Sequence, residues 1–241
     1  MERSDPDQEA WLGMTDENPP EGGIDVTRPS VDRDMGSRIA EVNPALHQLV
    51  RQNREFICAA AARAAAAGIS QFLDLGSGLP SHLAVHQAVR EVIADARVCY
   101  VDIEPNAVLH GDTLLARGEG LAAVQADLAD PDAVLANPHV RAVIDMAQPT
   151  ALILAAVLHF MSANEAAALC ADYMRRAVPG SWLIVSSGHY QDKELASRLQ
   201  ETATHTRFRN HSAADLASML SGLEPAEPGP SGPSGPSGEP G

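Results

Sequence analysis

Residues 71–78 read Gln71-Phe72-Leu73-Asp74-Leu75-Gly76-Ser77-Gly78. A short, largely apolar run that ends in Gly-Ser-Gly has the form of a buried strand followed by a tight turn. The same kind of element recurs on either side, separated by helical spacing. Upstream, Arg38 to Ala67 is helix-rich, with Pro44 as a break or first-turn residue. Downstream, Leu83, Val85, Val89, Val92 and Ile93 give Ser81 to Ala94 a helical period. Arg97 to Val101 is a second strand, Pro105 to Leu115 a helix with proline in its first turn, and Leu121 to Gln125 a third strand. A short helix over Asp130 to Leu135 precedes the fully apolar run Thr150 to Val157, as expected for a strand covered on both faces. Ser162 and Glu165 have capping-box spacing at the start of a helix reaching about Ala177. Ser181 to Ser186 is a fifth strand, and helices follow near 191–202 and 212–220. Strands alternating with helices predict an α/β fold with a mainly parallel sheet. Such sheets bind ligands at the C-terminal ends of their strands, so the turns after residues 75, 101, 125 and 157 should converge on one crevice.

The ends of the chain differ from this middle. Residues 1–37 carry ten acidic and three basic side chains with no sustained apolar period, and read as a mostly disordered acidic segment. From residue 223 the chain is rich in Pro, Gly and Ser and reads as a flexible tail. The folding unit is residues 38–222. The 241 residues carry a net charge of −15, and only −5 of it falls within 38–222. That charge, with no clustered run of Lys or Arg, argues against nucleic acid and anionic membrane as partners. It leaves a negatively charged small molecule open. No apolar run approaches the roughly 20 residues of a spanning helix, and the polar N-terminus does not read as a secretory signal. Cys58, Cys99 and Cys170 are an odd, scattered set, which fits a reducing cytoplasm. One lysine against sixteen arginines fits a GC-rich bacterial genome.

Acids punctuate the predicted crevice. The glycines of Gly76-Ser77-Gly78 would let a ligand approach the backbone, or serve a tight turn alone. Asp74 ahead of them suits an ammonium group better than two phosphates, and the third glycine of a dinucleotide fingerprint is absent at Ser81. Asp102 ends the second strand 24 positions after Gly78, where an acid can accept from both ribose hydroxyls or cap the next helix. Asp127 can accept from an adenine amino group while Leu128 packs on the ring; a turn acid is the alternative.

The ordered set Asp74-Leu-Gly-Ser-Gly, Val101-Asp102 and Ala126-Asp127-Leu128 resembles the motifs of Rossmann-fold S-adenosylmethionine-dependent methyltransferases. Gln71 to Pro80, Ala126 to Pro131, Ala155 to Phe160 and Pro179 to Ile184, with Thr27-Arg-Pro-Ser30 and Asn53-Arg54-x-Phe56, resemble a bacterial branch of largely unassigned substrate. The resemblance spans about residues 25–215. It implies a Rossmann-like three-layer sandwich, S-adenosyl-L-methionine as cofactor, and a small-molecule methyl acceptor. The cofactor-binding set it implies is Asp74, Gly76, Ser77, Gly78, Asp102, Ile103, Asp127 and Leu128. Arg54 joins it as a partner for the cofactor carboxylate, or sits in a surface ion pair.

In such a site His159, just after the fourth strand, is the candidate general base, against a structural histidine bonding a carbonyl. His82 and His86 share a helix face, but a pair without a third ligand makes a poor metal site, so no metal is assigned. The chain departs from the branch in lacking a glycine-rich lid after Ser30, in carrying Ala84 and Ile103 where polar residues are usual, and in ending on Pro, Gly and Ser where a final antiparallel strand pair is expected. Three functions follow: a methyltransferase, a degenerate adenosyl-ligand-binding relative, or a nicotinamide oxidoreductase. The last is disfavoured by the absent third glycine and the lack of a Tyr-x-x-x-Lys pair. The sequence assigns no oligomeric state.

Overall fold

A computed structural model of the protein describes residues 45–78, 83–105, 107–108, 118–187 and 209–226. Residues 1–37, Thr27 to Ser30, His82, the helix expected near 191–202 and most of the C-terminal tail lie outside them. The elements are α1 (Ala45–Ala66), β1 (Gln71–Leu75), α2 (Val85–Arg90), β2 (Arg97–Asp102), β3 (Leu121–Gln125), α3 (Pro131–Ala136), α4 (Pro138–Val143), β4 (Ala151–Ala155), a single 3₁₀ turn (Leu158–Phe160), α5 (Ala163–Arg176), β5 (Trp182–Ser186) and α6 (Ala213–Met219). The five strands form one sheet in the order β3-β2-β1-β4-β5, and every pairing is parallel.

Side chains alternate across the sheet, because successive residues of a strand point to opposite faces. Leu73, Leu75, Cys99, Val101, Leu152 and Leu154 bury one face against α3, α4, α5 and α6. Phe72, Val98, Ile153 and Ile184 bury the other against α1 and α2. The three layers expected from the alternation of elements are therefore present. Covering both faces makes β1 and β4 apolar along most of their length, and full burial of each such side chain contributes roughly 1.5–3 kcal/mol.

Two boundaries move and one helix is added. β4 stops at Ala155 rather than 157, since Ala156 adopts a positive φ of 53° and turns the chain out of the sheet. α2 is shorter than the helical period suggested. α4 was not expected from the sequence: Asn137 ends α3 and at once caps α4, its Oδ1 accepting from the His139 amide at 2.9 Å. The Ser162–Glu165 capping box forms as the spacing predicts. No helix among the described residues is long and apolar enough to cross a membrane.

Candidate functional site

The parallel register places the acids expected from the sequence at one end of the sheet. Asp74 lies one residue from the end of β1, Asp102 closes β2, Asp127 follows β3, and His159 follows β4. Gly76 has a φ of 76° and Gly78 of 65°, conformations that favour glycine. At Gly76 there is a second requirement. A Cβ there would stand 2.5 Å from Val157 Cγ1 and 3.1 Å from Leu128 Cδ2. Side chains from the β3 and β4 loops already pack against the glycine, so its smallness brings those two loops together over the turn.

Asp102 ties the loops together. Its Oδ2 accepts from the Gly78 amide at 2.7 Å and its Oδ1 from the Glu104 amide at 2.9 Å. A carboxylate has about four lone-pair sites, so an acid holding two amides retains acceptor capacity for two hydroxyls. Beside it Ile103 exposes 59% of its surface, an unusual position for a large apolar side chain. Asp127 is exposed, and its Oδ1 accepts from the Ala129 amide at 2.8 Å, forming a turn. The carbonyl of half-buried Leu128 accepts from the buried Tyr173 hydroxyl at 3.0 Å.

Asp74 is the outlier. It is fully buried, and neither carboxylate oxygen has a hydrogen-bond partner. Burial pushes its carboxyl up to about 6 from the usual 3.8; the Arg54 guanidinium opposes the rise and the Asp102 carboxylate adds to it. Arg54, on α1, donates from Nη2 to the Ser77 carbonyl at 2.6 Å. It therefore clamps the turn from the α1 side and forms no ion pair among the described residues, leaving other guanidinium donors for a ligand. Tyr100, beside Asp74 across the β1–β2 register, accepts from the His86 amide at 3.0 Å and lies 2.8 Å from His86 Nδ1. The hydroxyl holds the first turn of α2 behind the glycine loop through both contacts. Burial pulls the His86 imidazole down, with help from Arg90.

His159 is half-buried, its ring centroid 4.3 Å from that of Phe160 in an edge-to-face pair. Burial, with His211 nearby, pushes its imidazole down to about 4 from 6.5, so it is neutral at physiological pH. Its carbonyl accepts from the Arg209 amide at 2.7 Å. His211, 5% exposed, places Nε2 3.1 Å from the Leu158 carbonyl and 3.0 Å from that of Met161. Both partners are acceptors, so this nitrogen carries the proton. Tyr100, Arg209 and His211 were missed in the sequence. Tyr100 could have been found from its period-two relation to residues 98 and 102; the other two come from a distant segment that no spacing connects to the site.

A groove of about 630 Å³ lies elsewhere, lined by Asp132, Val140, Ile144, Met146 and Arg176 among others. It opens beyond the N-terminal end of β4, where Arg176 is already held by Asp132 and Asp172. The chemistry concentrates at the opposite end of the sheet. An uncompensated buried carboxylate, an acid with spare acceptor sites and an exposed apolar side chain fit a ligand with an ammonium, vicinal hydroxyls and a flat ring.

The chain matches the family described as S-adenosyl methyltransferase over residues 22–231. No protein of curated function matches it. Among solved structures it is similar to a Thermobifida fusca protein assigned as a methyltransferase, with 31% identity and a TM-score of 0.74 over 87% of this chain and 86% of that one. It is also similar to a DUF574 family protein from Streptomyces avermitilis, with 31% identity and a TM-score of 0.76 over 86% of this chain and 81% of that one.

Proposed function

The chain belongs to the S-adenosyl methyltransferase family, and from that premise we propose that it transfers a methyl group to the hydroxyl of a small-molecule acceptor held above β4. S-adenosylmethionine is its cofactor, and when bound it supplies an electrophilic methyl and a neutral thioether leaving group. The observation that carries the reading is Asp74, a buried carboxylate without a partner at the foot of the glycine turn. Leaving such a group unmatched is costly, and an ammonium would match it.

In this reading Asp74 accepts from the methionyl ammonium and Arg54 pairs with the methionyl carboxylate while bracing Ser77. Gly76, Ser77 and Gly78 bring backbone to the ligand, and Asp102 accepts from the ribose hydroxyls. Ile103 and Leu128 flank the adenine, and Asp127 accepts from its amino group. Catalysis is then mostly orientation and exclusion of water. His159 receives the acceptor's proton. A neutral imidazole whose conjugate acid has a pKa of about 4 is a weak base. It serves because the hydroxyl becomes strongly acidic as its new bond to carbon forms, so the proton leaves late. Three free, buried cysteines fit a protein working in a reducing compartment, which we take to be the cytoplasm.

Titration calorimetry tests the assignment. S-adenosylmethionine and S-adenosylhomocysteine should bind, and Asp102→Ala should weaken both by roughly 1–3 kcal/mol through loss of charge-assisted hydrogen bonds. Unchanged affinity would remove Asp102 from the ribose site. Labelled methyl transfer to small molecules of a cell extract distinguishes an enzyme from a relative that only binds.

A further inference from the structure

The geometry points to an acceptor that carries a carboxylate beside its methylated hydroxyl, with Arg209 as the residue that selects it; this rests on the methyl-transfer reading above. The segment from Arg209 to His211 is strapped to the end of β4. The Arg209 amide is bonded to the His159 carbonyl at 2.7 Å, and His211 holds the carbonyls on either side, at Leu158 and Met161. Arg209 is thus fixed as the immediate neighbour of the proposed proton acceptor.

Among the described residues its guanidinium has no matching anion. Arg209 is half-buried, and its Nε is shielded from solvent with no hydrogen-bond partner. Among the described residues Glu165 is a carboxylate near enough to feel its charge. That group is already engaged by Ser162, whose amide and hydroxyl lie 2.7 and 2.6 Å from Glu165 Oε2, and it forms no ion pair with Arg209. At the end of the adjacent strand, beyond the Ala155–Ser186 pairing, Ser187 Oγ is likewise hidden without a partner. Buried donors are nearly always bonded. Two orphaned donors at the ends of β4 and β5, on the side where an acceptor must sit, are partners that an anion would satisfy. The Nε–Nη edge of arginine is a planar fork that matches a carboxylate with two parallel hydrogen bonds. Phe160, 37% exposed and stacked edge-to-face on His159, offers an apolar surface for the acceptor body.

The reaction balances without another reagent. The acceptor oxygen forms its bond to the methyl carbon as the carbon–sulfur bond breaks, the sulfur keeps that electron pair as a neutral thioether, and the hydroxyl proton passes to His159. The carboxylate is a spectator that orients the hydroxyl.

The test uses the full chain saturated with S-adenosylhomocysteine and two probes, 2-hydroxybenzoate and 2-hydroxybenzamide, followed by ligand-observed NMR titration. The acid should bind at least about tenfold more tightly than the amide, a factor within reach of one charge-assisted fork. Arg209→Gln should erase that preference while S-adenosylhomocysteine still binds, and Arg209→Lys should keep part of it. Equal binding of the two probes, no saturable binding of the acid, or a preference that survives Arg209→Gln would overturn the proposal. The S-adenosylhomocysteine titration is run first. If it fails in the wild-type chain, the cofactor reading falls and takes this one with it; if it succeeds and the carboxylate preference is absent, only this proposal falls.

Discussion

Gln71 and Asp74 stand three residues apart on the same strand, and both are fully buried. One is satisfied and the other is not. The Gln71 amide nitrogen donates to the carbonyls of Asp145 and Gln148 at 2.6 and 3.1 Å and lies 2.8 Å from the Thr150 hydroxyl. Its oxygen accepts from Arg97 Nη2 at 2.8 Å and from the Asp145 amide at 2.9 Å. Asp74 has none of this. The N-terminal end of β1 thus locks the loop before β4 onto the sheet, while the C-terminal end holds polarity in reserve for a ligand. A parallel sheet separates these duties by construction, because its loops at one end can vary without disturbing the packing at the other.

The sharpest way to break that contrast is to damage the locked end. Gln71→Leu is close in size and removes all five hydrogen bonds; the Asp145 carbonyl keeps the Gln148 amide and the Gln148 carbonyl keeps the Thr150 hydroxyl, while the Asp145 amide and Arg97 lose the oxygen they share. It should destabilise the protein by about 3–5 kcal/mol, since several buried polar groups lose partners together. Urea unfolding reads the loss. At temperatures where the variant remains folded, its affinity for S-adenosylhomocysteine should match the wild type. A parallel loss of affinity would mean that the two ends are coupled through the strand.

Next in size is the reserve itself. The folded pKa of Asp74 is raised to about 6, above the unfolded value near 3.8. Below 3.8 the carboxyl is protonated in both states and has no effect. As pH climbs from 3.8 to 6, the unfolded chain gives up its proton first, so folding loses free energy across that window and no more above it. At about 1.36 kcal/mol per pKa unit, the penalty at pH 7 is about 3 kcal/mol. Asp74→Asn should therefore stabilise the ligand-free protein by that order at pH 7 and by almost nothing at pH 4, as thermal melts across the range would show. The same variant should bind S-adenosylmethionine more weakly, having lost the charge that meets the ammonium. Stability gained at a cost in binding is the signature of a functional site; a variant less stable at pH 7 would mean that the carboxylate contributes to the fold.

The two ends were also unequally legible in the sequence. The strands could be read because burial on both faces leaves runs such as Ala151-Leu-Ile-Leu154 with no polar alternation, and because glycine marks the turn after β1. The strand-end acids could be read because connectivity alone brings Asp74, Asp102 and Asp127 to one edge. The Gln71 lock could not: a glutamine inside an apolar run gives no hint of partners 74 to 79 positions away. Helix α4 was hidden because Asn137-Pro138 looks like a break, whereas asparagine caps and proline opens the new helix. The clamp between Arg54 and Ser77 spans 23 positions with no periodicity to announce it. Arg209 and His211 reach the site only through the long return of the chain, so their place follows from tertiary packing alone.

The mildest probe of the comparison is Tyr173, whose ring is buried in the core under α5 and whose hydroxyl reaches the Leu128 carbonyl. It joins the packed interior to the loop that would cover the adenine. Tyr173→Phe removes one oxygen and preserves the ring, so the expected loss of stability is about 1 kcal/mol. Leu128 also packs on the core and meets Gly76 from the side, which limits how far the loop can drift once the hydrogen bond is gone. The affinity for S-adenosylhomocysteine should then fall by no more than a few-fold. A larger fall would show that Tyr173 sets the position of the adenine wall and that the core helps to shape the site. An unchanged affinity with lower stability would show that Leu128 is held by packing alone, and would place the boundary between the scaffold and the ligand-binding end at that hydroxyl.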